Sequence, residues 1–564
     1  MQNSEIDVLV VGAGPTGLTM ACELLRRGIT CRILDKAAAP GMSSRAVGVQ
    51  ARTLEVFDRM GIIEEVLARG VTGVSLNLYE RDTLLLHMNF RFLASDAIPY
   101  PYVVLLPQYV TEELLIALLH TEGGVVERLK EVTELRQEAE RVVVTVHNLQ
   151  DDTSEELQAR WLIGCDGAHS RVRKALGLAF EGSTYDEEVL LADVDLDWKR
   201  SHDEVYAWMH RDGQFAAMPL PNNHWRLFAA VSTKDGKDAP QASLELFQHL
   251  MQERTGDSTT TISYAIWMSN FKISRRMVSS YRKERVFLAG DAAHVHSPFS
   301  WQGLNTGIQD AWSLAWKLAL VIRGKATDAL LETYRQERLP IARKVLAETD
   351  QRTRIFFARN GAVRLLRDRV VIPLLKRAFV QRRLFWTVSE LGINYRSSPL
   401  SYSSQDARTK RPVRKPWPRQ APRPGDRAPD GRCFRHPSQE ATSLFAEFRG
   451  PQSHLLLFAG RDALGDNANL VQIARRVGDL LGEEVKTHLI VTTFEKRAKL
   501  DWDGSILLDP EDKLHTRYGA GVASLYFIRP DGYIGYRSQP AQEKSLLDYL
   551  EQWFVHSKER VIRV

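Results

Sequence analysis

The sequence predicts a mixed fold, α/β at both ends with an α+β antiparallel insert between them, and three observations carry that prediction. A β-branched run, a glycine-rich turn and a helical stretch occupy Ile6 to Arg27. Between about Glu187 and Phe271 the pattern changes to short strands separated by turn signals such as Asp212-Gly213 and Asn222-Asn223. A stretch rich in proline and arginine, residues 397–432, then separates off a second series of strands and helices.

The 564 residues exceed one ordinary domain, and a composition 44% hydrophobic and 26% charged is that of a globular protein with real cores. A net charge of +5 gives no global field for nucleic acid or an anionic membrane. Cys22, Cys31, Cys165 and Cys433 form no C-x-x-C pair, so neither a metal site nor a dithiol redox centre is expected. The first three read as small core residues. No basic leader precedes the first strand, and no apolar run reaches about 18 residues. A soluble protein of the reducing cytoplasm is the expectation.

Ile6 to Val11 reads as a buried parallel strand and Gly12-Ala13-Gly14-Pro15-Thr16-Gly17 as a turn. Leu18 to Arg27 follows as a helix stopped by Gly28, then Cys31 to Leu34 as a second strand ending at Asp35. A G-x-G-x-x-G turn between strand and helix is the dinucleotide-binding position of a Rossmann-like domain. Gly12 makes the tight turn, Gly14 lets the backbone approach a pyrophosphate, and Gly17 lets the helix pack on the sheet. Free N–H groups at the helix start, beside Pro15 and Thr16, favour the phosphates. Asp35, with Lys36 beside it, is placed to accept ribose hydroxyls. This unit leaves NAD and FAD both open.

Further along, Thr111 to Leu119 reads as a helix, and Arg141 to Val146 and Trp161 to Gly164 as strands. Arg285 to Ala289 returns to a buried strand. Gly303 to Ile322 is a long helix with Leu304, Ile308, Ala311, Leu314, Ala315 and Leu318 on one face. The 397–432 stretch reads as an extended, semi-rigid, solvated linker. Beyond about Cys433, strands and helices alternate through His454–Ala459, Asn469–Leu481, Thr487–Val491, Leu525–Ile528, Tyr533–Tyr536 and Lys544–Trp553.

Two downstream segments narrow the cofactor. One runs Arg285 to His294 and contains Gly290-Asp291; Pro298 and Gly303-Leu304-Asn305 follow it. The other is Gly164-Cys165-Asp166-Gly167, continuing to Arg173. Together with the first unit they resemble the FAD-dependent aromatic hydroxylases, over roughly residues 5–390. The resemblance implies FAD and NAD(P)H as cofactors. It places Asp291 on the ribityl chain, Asp166 and Gly167 in the motif shared by FAD and NAD(P)H, and Arg45 and Gln108 close to FAD. It also implies the domain order: 1–180 and 276–396 as the two parts of the FAD-binding domain, 181–275 as an inserted substrate domain, 397–432 as linker and 433–564 as a thioredoxin-like domain. The start of the long helix, at Gly303, can face the flavin's pyrimidine carbonyl and stabilise negative charge there. No second G-x-G-x-x-G appears, which fits a family in which the nicotinamide visits without its own domain.

The family commonly carries glycines where this chain has Ser300 and Trp301. Trp301 is therefore expected to narrow the space in which the flavin ring swings. The insert supplies Tyr206, Trp208, His210, Phe215, Met218, Trp225, Phe228, Tyr264 and Trp267, with Tyr206 expected on one face and Trp208 and His210 on the other. One face is expected to roof an aromatic pocket. His210, His294 and His296 are candidate proton-transfer groups, and Arg45, His210 and Trp301 the candidates for a catalytic part.

By resemblance, NAD(P)H reduces the flavin, dioxygen forms a C4a-hydroperoxyflavin, and an OH group passes to a phenolic or polyketide-like ring. The cofactor carries the chemistry while the protein orients the ring and excludes water. Epoxidation, Baeyer–Villiger insertion and a non-oxygenase FAD-binding redox or sensor protein stand as alternatives. The C-terminal domain resembles thioredoxin without the C-x-x-C, which implies a structural or interaction role, homodimerisation among them.

Overall fold

The computed structural model describes residues 6–41, 46–89, 95–232, 240–297, 301–356, 360–404, 421–461, 468–492 and 502–554. Four strands form the parallel heart of the first sheet in the order Val286–Leu288, Thr153–Gly164, Ile6–Val11 and Cys31–Leu34. Their carboxyl ends are level: Val11 pairs with both Gly164 and Leu34, and Gly164 pairs with Leu288. The ends of these strands are apolar because helices cover the sheet, as parallel sheets require. The helix Pro15–Leu25 packs on the long helix Gly303–Ile322. The contact is close because glycines line it: a Cβ at Gly307 would lie 2.4 Å, and one at Gly290 2.6 Å, from Thr16 Oγ1.

The second sheet has eight strands and is mostly antiparallel. Five of its strands come from the stretch Glu181–Met277, and two, Ser75–Glu80 and Thr83–Met88, come from far upstream. Ser75–Glu80 pairs in parallel with Glu204–Trp208. A helix, Leu244–Thr255, also lies inside the insert. Its signals were local: Ser243 caps it by accepting the Leu246 N–H at 3.2 Å, and Gly256 ends it at φ +80°. Tyr206 and Trp208 are both buried in the core beneath this helix. The expected split of Tyr206 from Trp208 is thus corrected, since residues two apart on a strand share a face. Val205 and Ala207 point the other way, into a cavity.

The third sheet is C-terminal and has eight strands. Ser453–Phe458, buried throughout, runs parallel to Val485–Val491 and antiparallel to Ser524–Ile528. This unit docks through buried charge. Arg529 donates to both oxygens of Glu337 at 2.6 and 3.0 Å, and Arg427 Nε donates to Glu55 at 2.7 Å. The 397–432 stretch is accordingly less solvated than its composition suggests. Tyr402–Ser403 pairs with Tyr536–Arg537, and Arg427 and Asp430 are buried. The reason is pairing: Arg427 meets Glu55, and Asp430 accepts the Phe445 N–H at 2.9 Å. Its middle, 405–420, lies outside the described residues.

Candidate active site

Each of the four level strands ends in one of the sequence motifs. Ile6–Val11 runs into Gly12, Cys31–Leu34 into Asp35, Thr153–Gly164 into Asp166-Gly167, and Val286–Leu288 into Gly290-Asp291. A crevice outside the carboxyl ends of parallel strands is where such sheets bind ligands.

Gly12 sits at φ +101°, and a Cβ there would lie 2.4 Å from the Cys165 carbonyl oxygen. Gly17 presses on the same turn, with its missing Cβ 1.9 Å from the Gly12 carbonyl oxygen. Gly14 differs: a Cβ there would meet nothing within 4 Å. Two glycines therefore let protein approach protein, and the third faces open space. Asp35 steadies the turn, its Oδ2 accepting the Ala13 N–H at 2.6 Å and its Oδ1 the Ala37 N–H at 2.7 Å. Lys36 is exposed.

Asp166 caps a short helix, Arg171–Ala175, accepting the Ser170 hydroxyl at 2.5 Å and the Arg171 N–H at 2.6 Å. Gly167 has φ +76°. Arg173 donates to the carbonyls of Ala168 and Ala292 at 2.9 and 3.1 Å, joining this motif to the Gly290-Asp291 turn. Asp291 itself is exposed on that turn. Beneath it, Asp310 Oδ2 accepts the Gly290 N–H at 3.1 Å and the His294 Nε2 proton at 2.7 Å. Arg338 donates to Asp310 Oδ1 at 2.7 Å. Burial opposes ionisation of Asp310, but Arg338 and His294 hold its carboxyl below the usual value. His294 is thereby tied into the scaffold. His296 lies beside Gly303, and burial holds its imidazole down at about 4.

The long helix opens at Gly303 after Gln302. Asn305 is consumed by the scaffold: its amide donates to the carbonyls of Gly48 and Trp301 at 2.8 and 2.6 Å and accepts the Gln50 N–H at 2.8 Å. Gln108 reaches the same segment, its N–H donating to the Ala46 carbonyl at 3.1 Å. The N–H groups of Gly303, Leu304 and Asn305 open the helix and face outward from it. Trp301 stands just before them at φ +53°, a strained setting for a bulky residue, and its ring lies where a Cβ on Gly48 would be. Arg45 and Pro298, with Phe299 and Ser300, lie outside the described residues.

Trp301 also lines a cavity of about 440 Å³ between the second sheet and the 361–388 helices. Its walls are mostly aliphatic and aromatic, including Leu78, Met218, Phe228 and Phe385. Polar groups are few, chiefly Gln50, Arg226 and Arg352. Arg226 is buried and pairs with both oxygens of Asp193 at 2.6 and 2.7 Å, while Trp267 Nε1 donates to the same carboxylate at 2.7 Å. His210 lines a separate, smaller hollow with Arg211 and Asp212, so the structure does not bring it to this cavity. Arg226, Asp310 and Arg338 were missed from sequence. A lone acid in the apolar Gly303–Ile322 helix was the signal for Asp310; nothing in the sequence pairs Arg226 with Asp193.

The residues fit FAD. Gly14 leaves room for a pyrophosphate, the helix start at Pro15 offers its N–H groups, and a second helix start at Gly303 stands beside the apolar cavity. The description "FAD binding domain" matches residues 5–349 of the chain. The 6-methylpretetramide 4-monooxygenase of Streptomyces rimosus is 34% identical over 555 residues, 96% of this chain and 93% of that protein. The pentachlorophenol 4-monooxygenase of Sphingobium chlorophenolicum is 31% identical over 545 residues, 95% of this chain and 94% of that protein. The chain belongs to the FAD-dependent aromatic monooxygenases. The solved ternary complex of aklavinone-11 hydroxylase with FAD and aklavinone superposes with a TM-score of 0.79 at 26% identity, over 98% of this chain and 99% of that one. FAD is the cofactor of this aromatic monooxygenase, and NAD(P)H is the usual reductant of its family. Among the described residues no helix is long and apolar enough to cross a membrane.

Proposed function

We propose that the monooxygenase hydroxylates a phenolic or polyketide-like ring held in the 440 Å³ cavity, with dioxygen as oxidant. What supports this reading is one juxtaposition: the helix start at Gly303, at the end of the FAD crevice, abuts the apolar cavity through Trp301. In it, the backbone of Gly12, Gly14, Pro15, Thr16 and Gly17 holds the pyrophosphate and Asp35 the adenosine ribose, with Lys36 at the rim. Asp291 takes the ribityl hydroxyls, while Gln108, Asp166 and Gly167 complete the crevice. Gly303, Leu304 and Asn305 frame the ring through backbone groups. When bound, FAD supplies the reduction and oxygen chemistry. The chain's part is to exclude water with the apolar walls, stabilise negative charge at the Gly303 helix start, and present Arg226 and Arg352 to a substrate phenolate.

We assign the C-terminal unit a thioredoxin-like fold with a structural role. Its Cys433 is buried, and burial pushes that thiol up to about 12. Homodimerisation is a separate inference: the exposed row Tyr264, Ile266 and Met268, on a strand of the second sheet and not in the C-terminal unit, supports it, and sedimentation velocity tests it.

The test of the cavity is Ala216→Trp, which fills it from the sheet side. Aromatic-stimulated NAD(P)H oxidation should be abolished while FAD content is unchanged. Undiminished stimulation would move the substrate elsewhere.

A further inference from the structure

The 361–388 helices wall one side of the cavity, and their outer side is a surface that the flavin chemistry leaves unused. Half of the exposed large hydrophobic side chains among the described residues fall in this stretch, a clustering that scattered exposure does not produce. Leu365, Leu366, Val370, Leu374 and Trp386 are among them, and Phe379 is 71% exposed. Seven cations run through the same residues, Arg364, Arg367, Arg369, Lys376, Arg377, Arg382 and Arg383, against the single carboxylate of Asp368. That carboxylate pairs with Arg367 at 2.7 Å. Arg369, Lys376, Arg377, Arg382 and Arg383 are exposed, the last two at a groove that they share with Glu348 and Glu390. A chain with a net charge of +5 thus concentrates its positive charge locally. On the inner side, Val371, Leu375, Leu384, Phe385 and Val388 line the cavity.

We propose that 361–388 is a membrane-docking surface, which lies on an anionic lipid bilayer and passes apolar aromatic substrate from the lipid into the cavity behind it. Apolar side chains interleaved with arginines are the pattern of an element that rests in the lipid interface, its cations on the phosphates. A second copy of the chain fits this face less well, because its cations would meet their own kind. The element lies on the bilayer and does not span it. The delivery part rests on the cavity being the substrate site; the docking part does not.

The test is flotation of the FAD-loaded full chain with vesicles of phosphatidylcholine alone and of phosphatidylcholine with phosphatidylglycerol. The protein should float with the anionic vesicles, stay behind with the neutral ones, and be released by salt. Leu366→Ser with Phe379→Ser, and separately Arg377→Glu with Arg383→Glu, should each cut anionic-vesicle binding ~tenfold or more. Flavin absorbance and turnover of a water-soluble aromatic should be kept, which shows that the variants are folded. Failure of the wild type to float, or variants that float like it, overturns the proposal. So does a dimer that Phe379→Ser dissociates, since that assigns the face to a second copy. Loss of aromatic-stimulated NAD(P)H oxidation in vesicle-free buffer would instead count against the cavity.

Discussion

Asp310 accepts the backbone N–H of Gly290 at 3.1 Å, so a buried carboxylate on the long helix fixes the turn that carries Asp291. The other side of that carboxylate is matched by Arg338, which also donates to the Thr306 carbonyl and the Tyr395 hydroxyl at 3.1 Å each. Asp310→Asn leaves a buried guanidinium without its counter-charge. Breaking such a pair costs about 3–5 kcal/mol. Urea unfolding should show a loss of that order, and titration with FAD should show affinity lowered ~tenfold or more as the turn loosens.

Gly14 and Gly17 should respond differently to a side chain. Gly14→Val enters open space in the protein, so the apoprotein should fold with little change in thermal stability while FAD binding is lost. Gly17→Ala collides with the Gly12 carbonyl and should cost both. Calorimetry of the apoproteins beside flavin content separates the two outcomes. Equal loss of stability would mean that Gly14 serves the fold and not the pyrophosphate.

Trp301 holds φ +53° under the grip of Asn305 on its carbonyl. Trp301→Gly relieves that strain and clears space over Gly48 at the cavity wall. Stopped-flow reduction by NAD(P)H should be faster in the variant. An unchanged rate would remove Trp301 from any control of the flavin ring.

Glu390 lies buried against Thr306 and Gln309, near the start of the long helix, and burial pushes its carboxyl up to about 7. A carboxyl raised in the folded state favours folding while it is protonated. That contribution is full below the unfolded value of ~4.3 and is lost as pH rises through about 7. Glu390→Gln should therefore lose less thermal stability than the wild type between pH ~5 and ~8. Parallel melting curves across that range would contradict the assignment.

The crevice was legible because its information is local. A glycine-rich turn, an acid closing a strand and a Gly-Asp step each sit at one strand end, and the structure lines those ends up. The first strands and the long helix follow the sequence expectation nearly residue for residue, since their apolar runs match one burial pattern. The cavity was not legible, because its walls come from Ser75–Met88, the insert and the 361–388 helices, which no local pattern joins. Arg226 reads as a surface charge until the fold sets Asp193 beside it. Arg427 reads as part of a solvated linker until Glu55 meets it. Tyr206 and Trp208 share one buried face, which the two-residue period of a strand already dictates.

The most direct test of the account is product analysis under isotopically labelled dioxygen. The FAD-loaded enzyme would be supplied with NAD(P)H and a panel of phenols and fused-ring aromatics. Faster NAD(P)H oxidation with at least one of them, and a single labelled oxygen on that ring, are expected. Oxidation at the same rate with and without every aromatic, and no label in any product, would contradict it.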